Sequence, residues 1–195
     1  MLFQIKEQTN VRKTERPLEG RKKKKLLIRP LVIPRERWEA NPPKGTTALR
    51  HPVNYVIISH TASEPGHSIA ECCTHIRIFQ KFHQESRNWD DIAYNFLVGG
   101  DGNVYEGRGW DNMGAHAKGM NDVSIGISFI GTFVDVLPPP SQIRACKMLI
   151  DEGISLGNIS ANYKLLGHRQ VSPTESPGEM LYKELQKWNH WSPEI

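Results

Sequence analysis

Two histidines stand where an α/β sheet would offer them to a ligand. His60 closes the apolar run Val53-Asn54-Tyr55-Val56-Ile57-Ile58-Ser59-His60, and His168 follows the short run Tyr163-Lys164-Leu165-Leu166-Gly167. Ligand crevices in such sheets open at strand ends. An imidazole placed there can serve as a metal ligand, a proton carrier or a hydrogen-bonding wall residue. The other six histidines, His51, His67, His75, His83, His116 and His190, show no HxH or HExxH spacing. Local spacing alone therefore yields no zinc site. Cys72, Cys73 and Cys146 form no CxxC pair and leave an odd thiol, which argues against a disulfide framework.

The elements that must hold these residues follow from periodicity and turn chemistry. Residues 53–60, rich in β-branched and aromatic types, predict a central strand apolar on both faces. Ile69, Cys72, Ile76, Phe79 and His83 recur at helical spacing up to about Ser86, with Ser68 as N-cap and Glu71 as capping-box partner. Residues 94–98 and 104–106 flank Gly99-Gly100-Asp101-Gly102-Asn103, the chemistry of a hairpin turn. Residues 124–130 alternate as a strand, and Pro138-Pro139-Pro140 precedes a helix ending near Gly157. Residues 163–168 predict a short strand, and Pro177-Gly178 opens a last helix carrying Leu181, Leu185 and Trp188. This interleaving gives a single α/β domain with a central mixed β-sheet flanked by about three α-helices. No internal repeat is present.

Five blocks, taken in order, resemble one family. They are His60-Thr61-Ala62, the segment from Asn88-Trp89-Asp90 to Val98-Gly99, Val104-Tyr105-Glu106-Gly107-Arg108-Gly109-Trp110, Gly114-Ala115-His116, and Ser176-Pro177-Gly178. From about residue 32 to 193 the chain is similar to the peptidoglycan recognition proteins. The resemblance implies the fold of zinc-dependent N-acetylmuramoyl-L-alanine amidases, related to phage amidase-type lysozymes, and a role in innate immunity to bacteria.

In catalytic members of that family zinc is held by two His and one Cys, and a Tyr assists at the scissile bond. Here His60 and His168 match the two imidazole ligands, Tyr94 matches the catalytic Tyr and Thr174 matches a residue near the metal. Ser176 stands where the Cys belongs. A thiolate is an anionic, soft zinc donor, whereas a Ser hydroxyl is neutral and a poor substitute. The resemblance thus implies an incomplete metal set of His60 and His168, weak zinc at most, and hydrolysis lost or nearly so. It also implies a missing disulfide, because the family's usual Cys six residues before Cys72 is replaced by Gly66. The arrangement is most similar to insect members that lack both the signal peptide and the amidase Cys.

The remaining wall residues match positions that contact the muropeptide in similar proteins: His60, Thr61, His83, Arg87, Asn88, Trp89, Tyr94, Arg108, His116 and Asn121. An extended stem peptide bearing carboxylates suits Arg forks, amide donors and an aromatic plate. At the third stem residue meso-diaminopimelate carries a carboxylate that lysine lacks. Arg108 falls where diaminopimelate-type receptors are similar in carrying Arg, and a bidentate pair there is worth about 1.5 to 3 kcal/mol, roughly a tenfold to hundredfold preference. Trp89 matches the same pattern. Asn88 replaces the Gly usually paired with it and resembles the lysine-type pattern instead. A competing reading makes Arg108 a surface residue paired with Glu85 or Glu106.

Charge and composition bound the remaining possibilities. Of 195 residues, 38% are hydrophobic and 24% charged, which is ordinary for a globular domain. The net charge of +4 is unevenly spread: residues 1–30 hold ten Lys/Arg against three Glu, including the run Arg21 to Lys25, and leave the remainder at −3. Residues 1–30 therefore read as a basic, solvated arm, and residues 31–195 as the recognition domain. No nucleic-acid footprint falls on the domain. Met1-Leu2-Phe3-Gln4-Ile5-Lys6-Glu7 lacks the apolar stretch of a secretory signal. The expected address is cytoplasmic, or secreted if the N-terminus is incomplete. The leading expectation is a non-catalytic receptor for peptidoglycan fragments, with ligand-induced self-association and an unidentified downstream signalling protein. The alternatives are a zinc amidase with an altered metal shell, and a carrier whose basic arm binds nucleic acid or membranes.

Overall fold

A computed structural model describes residues 29–195. The expected basic arm lies outside the described residues except at its last two positions. Among the described residues no helix is long and apolar enough to cross a membrane.

The apolar run over 53–60 forms β2, Val53–His60, whose last five residues are all buried. Only a strand covered on both sides and paired on both edges has that pattern, and β2 lies between β5, Ser124–Phe129, and β6, Ile159–Gly167, parallel to both. The hairpin of β3, Phe96–Val98, and β4, Val104–Glu106, supplies the antiparallel pair. β3 runs parallel to β5, and the two-residue β1, Val32–Ile33, runs parallel to β4 at the edge. The order is β1-β4-β3-β5-β2-β6. Parallel neighbours share a direction, so the carboxyl ends of β3, β5, β2 and β6 line one rim. His60 ends β2, and His168 follows β6 on the adjacent strand.

The two faces of the sheet are covered differently. On one face α2, Pro140–Leu156, and α3, Glu179–Leu185, bury Val56, Ile58, Ile125, Ile127, Phe129 and Leu165 in the main core. On the other, α1, Ile69–Lys81, packs Cys72, Cys73 and Ile76 with Leu97 and Tyr105, over the β1-β4-β3 half. The β5-β2-β6 half of that face carries only a small apolar cluster around Ile57, Ala117 and Leu166. Its floor is built instead from the small polar side chains Ser59, Ser124 and Ser128. The Tyr94 phenol and the His116 ring lie over this floor.

Several element boundaries differ from the sequence expectation. The helix from Ile69 ends at Lys81 and passes into a π-helical turn, Phe82–Ser86, a distortion common at functional sites. Ser68 Oγ caps α1 by accepting the Glu71 N–H, but the Glu71 carboxylate reaches the N–H of His67. β3 begins at Phe96 because the carbonyls of Tyr94 and Asn95 accept N–H groups from Gly107, Arg108 and Gly109 outside the ladder. β6 starts four residues early, across a register shift that accommodates the exposed Ala161 and Asn162. His168 lies in a short 3-10 turn, His168–Gln170, and Trp188 follows α3, stacked under Lys147. α2 stops as expected, with Gly157 in left-handed backbone at φ 78°.

Candidate functional site

At the rim, the backbone N–H of His60 donates to Ser176 Oγ at 3.1 Å, and the Ser176 N–H donates to Thr174 Oγ1 at 3.2 Å. Ser176 is buried and Thr174 is exposed. His60 is 8% exposed, and its Nδ1 accepts the N–H of Phe133 at 3.2 Å, so the neutral ring carries its proton on Nε2. Burial, the Arg169 cation and nearby His168 together push its pKa down to about 4. Burial also lowers His168. Thr61 closes the loop beside it: its Oγ1 accepts the Gly131 N–H and meets Ser63 Oγ at 2.7 Å.

The π-helical turn and the segment after it form one wall. His83 Nδ1 accepts the Ala93 N–H, leaving Nε2–H as a donor, and Trp89 stacks on the His83 ring at 5.0 Å and 24°. Tyr94 meets the same ring edge-on at 5.9 Å. Its phenol lies beside the Ser59 and Ser128 hydroxyls, and burial raises its pKa. Arg87 is exposed and stacks on Phe82. Asn88 has φ 54°, the left-handed backbone that glycine tolerates freely and Asn tolerates best among the rest. Its Oδ1 accepts from Lys44 Nζ at 3.3 Å.

Arg108 and His116 lie on the segment between β4 and β5. Arg108 pairs with neither Glu85 nor Glu106; its Nε donates to the carbonyl of Ile92 at 2.7 Å, Nη1 to Met113 at 3.0 Å and Nη2 to Asp91 at 3.3 Å. That leaves one N–H on each terminal nitrogen. The His116 ring lies flat against the sheet, where a Cβ on Gly126 would come within 2.3 Å of it. His116 Nε2 meets Ser124 Oγ at 2.9 Å, and the Ser124 hydroxyl donates to the Met120 carbonyl. Burial, His168 and Arg108 depress the His116 pKa to about 3, and burial with Arg108 and Arg87 holds His83 at about 4. Asn121 turns inward, its Oδ1 accepting the Ala117 N–H to close the loop. At neutral pH these imidazoles are uncharged, so the positive charge beside them comes from guanidinium groups, Arg108 and Arg87 at His83 and Arg169 at His60.

This architecture has counterparts. A family profile described as N-acetylmuramoyl-L-alanine amidase matches residues 49–179. Peptidoglycan-recognition protein LE of Drosophila melanogaster is 50% identical over 161 residues, covering 82% of this chain and 47% of that protein. The chain thus spans about half the length of that relative. A solved structure of protein LE in complex with tracheal cytotoxin, a monomeric diaminopimelic acid-type peptidoglycan, superposes with a TM-score of 0.82 at 49% identity, covering 83% and 95% of the two chains. Tracheal cytotoxin bound to the ectodomain complex of proteins LCa and LCx gives a TM-score of 0.82 at 52% identity, covering 83% and 98%. The chain belongs to the peptidoglycan-recognition family.

The resemblance implies two altered sites. Catalytic zinc takes three protein ligands, and the residues present do not fit it. Among the described residues no group of three His, Cys, Asp or Glu side chains could hold a metal ion. The His60 Nδ1 lone pair is engaged by Phe133, and Ser176 Oγ is engaged by the His60 N–H. At the second site, a Cβ on Gly66 would lie 2.5 Å from Cys72 Sγ. The expected absence of a disulfide partner thus leaves a buried free thiol donating to the Gly66 carbonyl at 3.4 Å. Asn95 went unread in the sequence. It is wholly buried, with Oδ1 accepting the Gly126 N–H and Nδ2 donating to the carbonyls of Gly109 and Asn112, so it ties the Arg108 loop to β5. Its signal was a carboxamide inside an otherwise apolar run.

Proposed function

We propose that this chain is an innate-immune receptor domain that binds diaminopimelate-type muropeptides at the site formed by His83, Trp89, Tyr94, Arg108 and His116, without cleaving them. The observation that carries this reading is the guanidinium of Arg108, which keeps one N–H on each terminal nitrogen after its three bonds to backbone carbonyls. That is the donor set a carboxylate pairs with bidentately. The stacked His83 and Trp89 rings offer an aromatic plate for the aliphatic part of the stem, and the Nε2–H groups of His60 and His83 offer donors to its amides. Binding without hydrolysis is supported by Ser176, whose neutral oxygen cannot replace a thiolate in a zinc shell. Ligand-loaded domains associate with one another to pass the signal on, as the assembled LCa and LCx ectodomains suggest by analogy.

Calorimetric titration with diaminopimelate- and lysine-type muropeptides of equal stem length tests the reading. The diaminopimelate form should bind roughly tenfold to a hundredfold more tightly, and Arg108→Gln should remove the difference. Incubation with peptidoglycan and added zinc should release no stem peptide. Equal affinities would defeat the specificity, and robust release would make the domain an amidase.

A further inference from the structure

Arg108 does not aim itself. Two of its three acceptors, the carbonyls of Asp91 and Ile92, belong to an irregular segment between the π-helical turn and β3 that no strand ladder orients. At the position of those two carbonyls the segment is held by the Asp91 carboxylate, which is 3% exposed. Its Oδ1 accepts from the Ile92 N–H and from Gln80 Nε2, both at 2.7 Å, and its Oδ2 pairs with Arg35 Nη1 at 2.9 Å. Arg35 Nη1 also donates to the carbonyl of Gly107, the residue preceding Arg108, and Nη2 donates to the Asn41 carbonyl at 3.0 Å. One guanidinium therefore holds both the start of the Arg108 residue and the segment that grips its tip.

We infer that Arg35 is a positioning residue for ligand selectivity: acting through Asp91 and Gly107, it presets the Arg108 guanidinium toward the third-residue carboxylate of the stem. Arg35 lies on the 3-10 turn after β1, and its guanidinium pairs with the Asp91 carboxylate rather than with Arg108 itself. The inference rests on the diaminopimelate reading above. A bidentate ion pair needs both N–H groups aligned, and its strength falls when the guanidinium rotates. A displaced Arg108 still leaves the stacking plate and the imidazole donors intact, so lysine-type binding is largely preserved.

The test is titration of wild type, Arg108→Gln, Arg35→Gln and Arg35→Lys with both muropeptide types, beside thermal unfolding of each. Arg35→Gln should lower the diaminopimelate-to-lysine affinity ratio at least fivefold while changing lysine-type affinity less than twofold, and Arg35→Lys, which keeps the charge beside Asp91, should recover part of the ratio. A merely structural role would weaken both ligands by one factor and leave the ratio unmoved, which overturns the inference. If Arg35→Gln does not fold, Arg35→Lys decides alone: a ratio equal to wild type overturns the inference, and a reduced one supports it. A wild-type ratio of one defeats the specificity reading itself, whereas a ratio lost in Arg108→Gln but kept in both Arg35 variants defeats the positioning role alone.

Discussion

Asn88 departs from the residue expected beside Trp89, and its backbone explains why the departure is tolerated. At φ 54° the position asks for glycine or asparagine, and the side chain is turned to Lys44. Asn88→Gly should therefore leave the diaminopimelate-to-lysine ratio within twofold of wild type, as measured by paired titrations. A larger shift would mean that the carboxamide reads the stem. Ser176 poses the converse case, because a single atom decides the donor set. Ser176→Cys would place a sulfur facing the His60 N–H, with His60 and His168 nearby. It should raise zinc content after dialysis from near zero toward one per chain, measured by metal analysis; unchanged zinc would show that the His60 Nδ1 contact with Phe133 outweighs the new ligand.

At the scale of the element, β5 is a floor as much as a strand. All six of its residues are buried, and Ser124, Gly126 and Ser128 on the cleft side are small enough to admit the His116 ring and the Tyr94 phenol. A methyl at 126 would meet the ring at 2.3 Å, and a strand paired on both edges has no room to retreat. Gly126→Ala should cost about 1 to 3 kcal/mol of stability, the range for overpacking a filled site, and weaken ligand binding by displacing His116 from Ser124. Denaturant unfolding checks the first effect and titration the second. Wild-type stability in this variant would show that the ring leaves the floor easily.

For the whole molecule, the buried imidazoles couple stability to pH. His83 and His116 have folded values near 4 and 3, against 6.5 when exposed. Below pH 6.5 the unfolded chain gains protons that the folded chain refuses, so stability is full above that pH and declines as pH falls toward 4 and then 3. The melting temperature should be lower at pH 5 than at pH 7.5, and His83→Gln should reduce the difference. An equal melting temperature at both pH values would mean that the imidazoles take up protons within the fold.

Patterning alone determined that Val53–His60 is an interior strand, that helices begin after Ser68 and near the Pro138-Pro139-Pro140 run, and that His60 and His168 lie at strand ends. Those features are local: side-chain periodicity, caps and turn residues act within a few positions of themselves. The five sequence blocks likewise marked Arg108 and Ser176 before any contact was known. Tertiary structure alone decided which acceptors hold Arg108, which nitrogen of His60 is free, and that Arg35, Gln80 and Asp91 converge beside Arg108. These partners stand 5 to 73 residues apart in the chain, most of them in different elements whose pairing no local pattern specifies. Hydrogen bonds over such separations come into being only when the sheet order and the packing of α1 bring their groups together.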